Sequence, residues 1–194
     1  FESVGKSWRN TPSLSGISFA VPKGGLVWPG GRQWRRHKHT DEVFAGFLRA
    51  RPGPHHALWH AAAARGRAAY LPERFKPPHY LTGRDFLRYV AGLHRTVYDE
   101  TAAIALLQEI DLDTATLGKP VRAYSKGMNQ KLGLAVCILS RKDLLILDEP
   151  SSGLDPRART LLKRKLKALC GAGTTLFLPP MQWLAWKRFA LPSR

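Results

Sequence analysis

The chain has 194 residues, with 31 Lys+Arg against 14 Asp+Glu and a formal net charge of +17. Its length, its 44% apolar content and its two cysteines exclude a wholly disordered chain and a disulfide-built scaffold, and suggest one domain in a reducing compartment. No run of about 18 apolar residues offers a membrane span, and Phe1 opens without a signal-like apolar core, so no targeting segment is expected.

In chain order, 1–8 and 14–21 alternate as strands do, with Pro22-Lys23-Gly24-Gly25 as a turn and Leu26-Val27 opening a further apolar run. Residues 28–69 break the pattern. They carry eight Lys/Arg and two acids (+6), five of the seven His and three of the six Trp, with no steady period. Tyr70-Leu71-Pro72-Glu73 reads as a strand end entering a loop. Helices are predicted over 86–93, over 99–110 with Ala102, Ile104, Ala105, Leu106 and Ile110 inward, and over 125–139. Leu144–Leu147 is a continuous apolar strand of the kind buried on both faces of a parallel sheet. Asp155-Pro156 caps a helix over 157–169 with a basic outer face, Gly171-Ala172-Gly173 stops it, and 174–177 is the next strand. The tail 179–194 is irregular again, with +3 and two Trp, which leaves +8 for the rest of the chain. Strand, helix, strand in this order predicts an α/β fold.

The chemistry concentrates around Asp148-Glu149, two acids at the end of the apolar strand. Ligands of α/β sheets bind at the carboxyl ends of strands, where Asp148 could hold Mg²⁺ and Glu149 could polarise a water for attack on phosphate. Pro150-Ser151-Ser152-Gly153-Leu154-Asp155 follows at once. Upstream, Tyr124-Ser125-Lys126-Gly127-Met128-Asn129-Gln130 is a turn feeding a helix N-terminus, whose free N–H groups and positive dipole end suit a phosphate.

At these residues the chain resembles the ATP-binding subunits of ABC transporters. Ser125-Lys126-Gly127-Met128-Asn129-Gln130 is similar to the signature motif in the variant of exporter-type subunits. Leu144–Leu147 with Asp148-Glu149 resembles the Walker B strand, and Ser152-Gly153-Leu154-Asp155 the D-loop. Tyr70-Leu71-Pro72-Glu73 resembles the Q-loop, with Glu73 where Gln is usual, and Trp8 falls where the family places an adenine-stacking aromatic. Pro77-Pro78-His79-Tyr80-Leu81-Thr82-Gly83 favours a transporter subunit over the family's DNA-repair or translation branches. The resemblance covers 1–27 and 70–177. It implies a P-loop NTPase-like parallel sheet with N-terminal antiparallel strands and a helical subdomain over 80–140, all within one domain. It implies ATP and Mg²⁺ as ligands, with Glu149 as general base and Asp148 on the metal. Trp8, Ser125, Gly127, Gln130 and Asp155 would contact nucleotide, with Glu73 in the Q-loop. It implies two partners, a second ATP-binding subunit and a membrane-spanning subunit, and a cytoplasmic location at the inner face of the cell membrane.

Two family elements are absent. The phosphate loop G-x-x-x-x-G-K-[ST] should follow Val27, where the chain reads Trp28-Pro29-Gly30-Gly31-Arg32-Gln33-Trp34. Val4-Gly5-Lys6-Ser7 is a decoy, lacking the earlier Gly and lying too close to Pro12 for the helix that must follow. The switch histidine after the last strand is replaced by Leu178-Pro179-Pro180-Met181. Both gaps coincide with the irregular segments. Read one base later, the codons of 28–47 permit G-L-V-G-A-N-G-A-G-T-S-T-L-M-K-F-L-L-G-F, a phosphate loop with its helix, with Thr or Ile in place of Lys. Read two bases later, those of 178–188 permit S-S-H-A-M-A-G-V-E-A-L, a switch histidine with its helix. The expectation is an ABC-type ATPase with frame changes near Val27, Tyr70 and Phe177, impaired as written, and an out-of-frame stop at Arg194.

The alternative class is a basic nucleic-acid-binding protein, suggested by +17 and by interleaved Trp, Arg and His. Those residues lie largely in 28–69 and 179–194, so no specific nucleic acid is expected. The spacings of His37, His39, His55, His56 and His60 fit no zinc pattern. Cys137 and Cys170 sit in apolar helical contexts and are expected to be buried free thiols. Sequencing of the gene is expected to find both motifs in the alternative frames. Alternative frames that encode neither would refute the frame-change reading.

Overall fold

A computed structural model describes Val4–Trp8, Thr11–Ile17, Gly24, Leu26–Val27, 66–94 and 96–178. The five clustered histidines, the tail 179–194 and most of 28–69 lie outside the described residues. Strands β1 (Val4–Trp8) and β2 (Thr11–Ile17) pair antiparallel, Val4 opposite Ile17 and Trp8 opposite Thr11, with an irregular register between. Gly5, Lys6 and Ser7 therefore lie in a paired strand and not in a phosphate loop.

The second sheet is parallel throughout. Its strands are β3 (Leu26–Val27), β4 (Ala68–Leu71), β5 (Leu144–Leu147) and β6 (Thr175–Phe177), in the spatial order β3-β6-β5-β4. β4 begins at Ala68, two residues before the Tyr70 boundary drawn from sequence, and Ala68 pairs with Leu144. Backbone ladders accept any small side chain, and both Ala68 and Ala69 are buried. Arg67 ties the start of β4 to the start of β5 through Asp143. Gly24 adds a link from the turn before β3 to β6, its N–H donating to Thr175 Oγ1 at 3.1 Å.

Leu145 and Leu147 point to one face of the sheet, into the main core, while Ile146 joins Phe177 on the other. This alternation is the period of two of a strand, with both faces covered as its unbroken apolar run predicts. Helix α1 (Gly83–Leu93), helix α2 (Glu100–Glu109), two 3-10 turns (Thr114–Gly118 and Val121–Ala123) and helix α3 (Lys126–Leu139) occupy the 80–140 region expected to be helical. Helix α4 (Pro156–Gly171) lies between β5 and β6 in sequence and packs on the main core through Ala158, Leu162, Leu166 and Cys170.

Among the described residues, each of these four helices starts on a side-chain cap. Thr82, Asp99, Ser125 and Asp155 accept from the amides of Asp85, Ala102, Met128 and Ala158. These caps satisfy donors that a helix leaves free, and Pro156 follows Asp155 where its fixed φ costs nothing. One expectation fails in detail. The inner face of α2 is Ala103, Leu106, Leu107 and Ile110, and Ala105 is exposed. That set has the i, i+3, i+4, i+7 spacing of a helical stripe. Cys137 and Cys170 are buried free thiols, as expected, and burial pushes the Cys137 thiol up to about 12. Among the described residues, no helix is long and apolar enough to cross a membrane and no His/Cys/Asp/Glu group could hold a metal by proximity of three.

Leu147 is fully buried. Leu147→Ala is expected to destabilise the fold by about 2–5 kcal/mol, measured by urea unfolding. Asp155 yields a second expectation. The Ala158 amide holds its carboxyl below the ordinary 3.8, and Lys131 adds to this. A depressed carboxylate stabilises the fold above its unfolded pKa and loses that contribution as pH falls through the folded one. Asp155→Asn keeps a capping oxygen but has no proton to take up. Its unfolding midpoint should therefore fall less than that of the parent between about pH 5 and pH 3, and equal falls would refute the linkage.

Candidate functional site

Parallel pairing puts the carboxyl ends of β3, β6, β5 and β4 at one edge of the sheet. Leu71 pairs with Leu147, and the Asp148 amide extends the ladder by donating to the Leu71 carbonyl at 2.9 Å. The chain therefore leaves β5 through Asp148 and Glu149 directly beside the point where it leaves β4 through Pro72 and Glu73. Asp148 is only 4% exposed, and Glu149 and Glu73 are half-buried. Val27 pairs with Phe177, so β3 ends at the same edge, on the far side of β6 from β5.

The turn after β5 is tightly specified. Glu149 has φ of +46°, a left-handed conformation uncommon outside glycine. Its carbonyl accepts two hydrogen bonds, from the Ser152 amide at 2.9 Å and from Gln130 Nε2 at 3.1 Å. Gly153 follows with φ of +73°, and Leu154 is buried. The Leu154 carbonyl accepts from Arg159 Nε, and Asp155 begins α4.

The first turn of α3 packs onto this turn. A Cβ on Gly127 would lie 2.7 Å from the Gly153 carbonyl oxygen, so only glycine permits the approach. The Ser125 hydroxyl caps α3 by accepting from the Met128 amide at 3.2 Å, and Ser125 and Lys126 are exposed at the positive end of a 14-residue helix. Gln130 is 3% exposed and faces Glu149 in its own chain.

The structure thus brings Ser125, Gly127, Gln130, Asp148, Glu149 and Asp155 to one region, with Glu73 on the neighbouring strand end. Trp8 ends β1 in the other sheet, and its side chain lies outside the described residues. Sequence reasoning missed Lys131. This buried ammonium donates to the Asp111 carbonyl and lies 3.5 Å from the Asp111 carboxylate, which also faces Arg157 of α4 at 3.7 Å. A buried charge needs such partners, and here they join α3, the end of α2 and the start of α4. Its only sequence signal was its place beside Gln130. A cavity of about 360 Å³ between α1, α2 and the end of α3, lined by Leu87, Val90, Tyr98, Ala102, Val136 and Leu139, is built from none of the acid-edge residues.

The profile of the ABC transporter family matches residues 38–152, more than half the chain, entering the basic segment at Lys38. An uncharacterized ABC transporter ATP-binding protein of Nostoc sp. is 34% identical over 186 residues, covering 88% of this chain and 53% of its own length. The daunorubicin resistance ATP-binding protein of Streptomyces coeruleorubidus is 33% identical over 185 residues, covering 89% and 57%. The chain therefore spans about half the length of the curated relatives it matches. A solved ATP-binding subunit of an ABC transporter has the same fold, with a TM-score of 0.80 at 22% identity over 97% of this chain and 81% of that one. With these matches beside the strand-end acids and the Gly127–Gly153 contact, the chain belongs to the ABC transporter family, among its ATP-binding subunits.

Proposed function

We propose that the chain descends from an exporter-type ATP-binding subunit that couples MgATP hydrolysis to transport, and that it binds nucleotide poorly as written. The observation that carries this reading is the packing of the signature turn against the turn that follows Asp148-Glu149. Across a two-subunit sandwich these two turns would serve different nucleotides, and their contact within one chain would join the two sites.

Asp148, Glu149 and Glu73 form no metal-holding group by themselves, so a divalent cation there would enter with the nucleotide, with buried Asp148 at the strand end to meet it. Magnesium bound there with the nucleotide supplies charge neutralisation for phosphate oxygens. Asp148 is the residue to hold it, and Glu149 the one to take a proton from the attacking water. Ser125 and Gly127, at the positive helix end, would face the nucleotide of a second subunit across a sandwich. Asp155 would line that interface, Trp8 would stack on adenine, and Glu73 would serve in the Q-loop, with a carboxylate in place of an amide. A membrane-spanning subunit would hold the pair at the inner face of the cell membrane. The exporter assignment draws support from the daunorubicin resistance ATP-binding protein of Streptomyces coeruleorubidus, 33% identical to this chain.

The phosphate side does not fit in the same way. The residues after Val27, with Gly30-Gly31 followed by Arg32-Gln33-Trp34, do not set Gly and Lys at the spacing of G-x-x-x-x-G-K-[ST] that lets backbone amides and the Lys reach phosphates. Frame changes bounding 28–69 and opening 179–194 would account for both missing motifs. The family match through 38–69 is what that explanation must accommodate.

Titration of the purified 194-residue chain with MgATP is expected to give a Kd above about 1 mM, and turnover at background. Micromolar affinity would overturn the proposed impairment. Steeply salt-dependent DNA binding in place of any nucleotide binding would favour the nucleic-acid reading.

A further inference from the structure

The resemblance assigns Gln130 to nucleotide contact, yet its side chain is 3% exposed and its amide is committed inside its own subunit. The group it holds is the main-chain carbonyl of Glu149, the one residue of the 148–153 turn that is non-glycine and left-handed. A left-handed glutamate persists only when its surroundings over-determine it. Here the surroundings are few and identifiable. The Ser152 amide closes the turn from within, Gln130 Nε2 anchors it from α3, and Gly127 allows α3 to seat against Gly153. The Lys126 side chain lies along Gly153 as well, about 3.0 Å from where a Cβ would be.

We propose that Gln130 is a positioning residue, whose amide fixes the left-handed backbone of Glu149 and makes the first turns of α3 and the 149–153 turn one rigid body. The proposal rests on the reading of Glu149 as the proton-accepting acid. Its consequence lies within one subunit. Any displacement of the Ser125–Gly127 end, which would face the other subunit's nucleotide, displaces the backbone that aims Glu149 at its own. The link runs through one amide and one glycine contact, so it can be cut without removing either functional end.

The test is hydrogen exchange on the full chain, comparing the parent with Gln130→Met. Methionine fills the same volume and cannot donate, and the Glu149 carbonyl keeps the Ser152 amide. Exchange over 149–154 is expected to quicken about tenfold, the loss of one hydrogen bond, while β5 and the α4 core stay unchanged. Unchanged exchange over 149–154 would overturn the proposal. So would a uniform rise across the chain, which would mean that Gln130 merely supports packing. Gly127→Ala approaches the same joint from the other side and decides the matter if Gln130→Met does not fold. Its added Cβ must push the 149–154 turn away, and quickening confined to that turn is again expected. Because exchange needs no nucleotide, failure of MgATP to bind bears on the function and leaves this result standing.

Discussion

Everything at the site depends on one constraint, the burial of β5 on both faces and both edges. Leu144–Leu147 offers no polar side chain, so its only polar groups are those of the backbone, and these must be paired. β4 pairs on one edge and β6 on the other, which fixes β5 inside the sheet. Once it is inside, its two faces must be apolar and its end is the first place where a charge can be tolerated. Asp148 and Glu149 stand at that place, and the pairing of Leu71 with Leu147 delivers Glu73 beside them. The position of the acids is therefore a consequence of hydrophobic burial.

Much of this was legible because the signals were local and strong. An unbroken apolar run ending in acids identifies a buried parallel strand. Ser125 and Asp155 announce helix starts because they cap amides three residues on. What escaped reading had a physical reason in each case. The inner face of α2 was misassigned because 102–107 is apolar on almost every side, so composition cannot select a stripe, and the packing of Ala103, Leu106, Leu107 and Ile110 against the core does so. The two 3-10 turns are too short to carry a period, and they are fixed from a distance by Tyr124 donating to the Thr116 carbonyl at 2.8 Å. The inward direction of Gln130 and the Lys131 contacts with Asp111 are tertiary facts, which spacing along one helix cannot supply. Trp8 shows the reverse, a site residue read from resemblance whose strand is described and whose side chain is not.

The +17 charge that first suggested nucleic acid also takes on a different meaning. About half of it lies in 28–69 and 179–194, where the family's phosphate loop and switch histidine are missing. Several positive groups of the described residues have structural partners. Lys131 pairs with Asp111, and α4 reaches the end of α2 through Lys165 and Glu109. Among the described residues, Arg67, Arg84, Arg88 and Arg157 are also paired with acids.

The Cys137 thiol carries a consequence of a different kind. With its pKa pushed up to about 12 by burial, the thiol keeps its proton at neutral pH. Its helix lies over the strands that deliver the acids, so an alkylating reagent reaches a reactive sulfur only after that layer has opened. The rate of its modification therefore serves as a built-in clock for opening of the core, readable without any turnover of substrate.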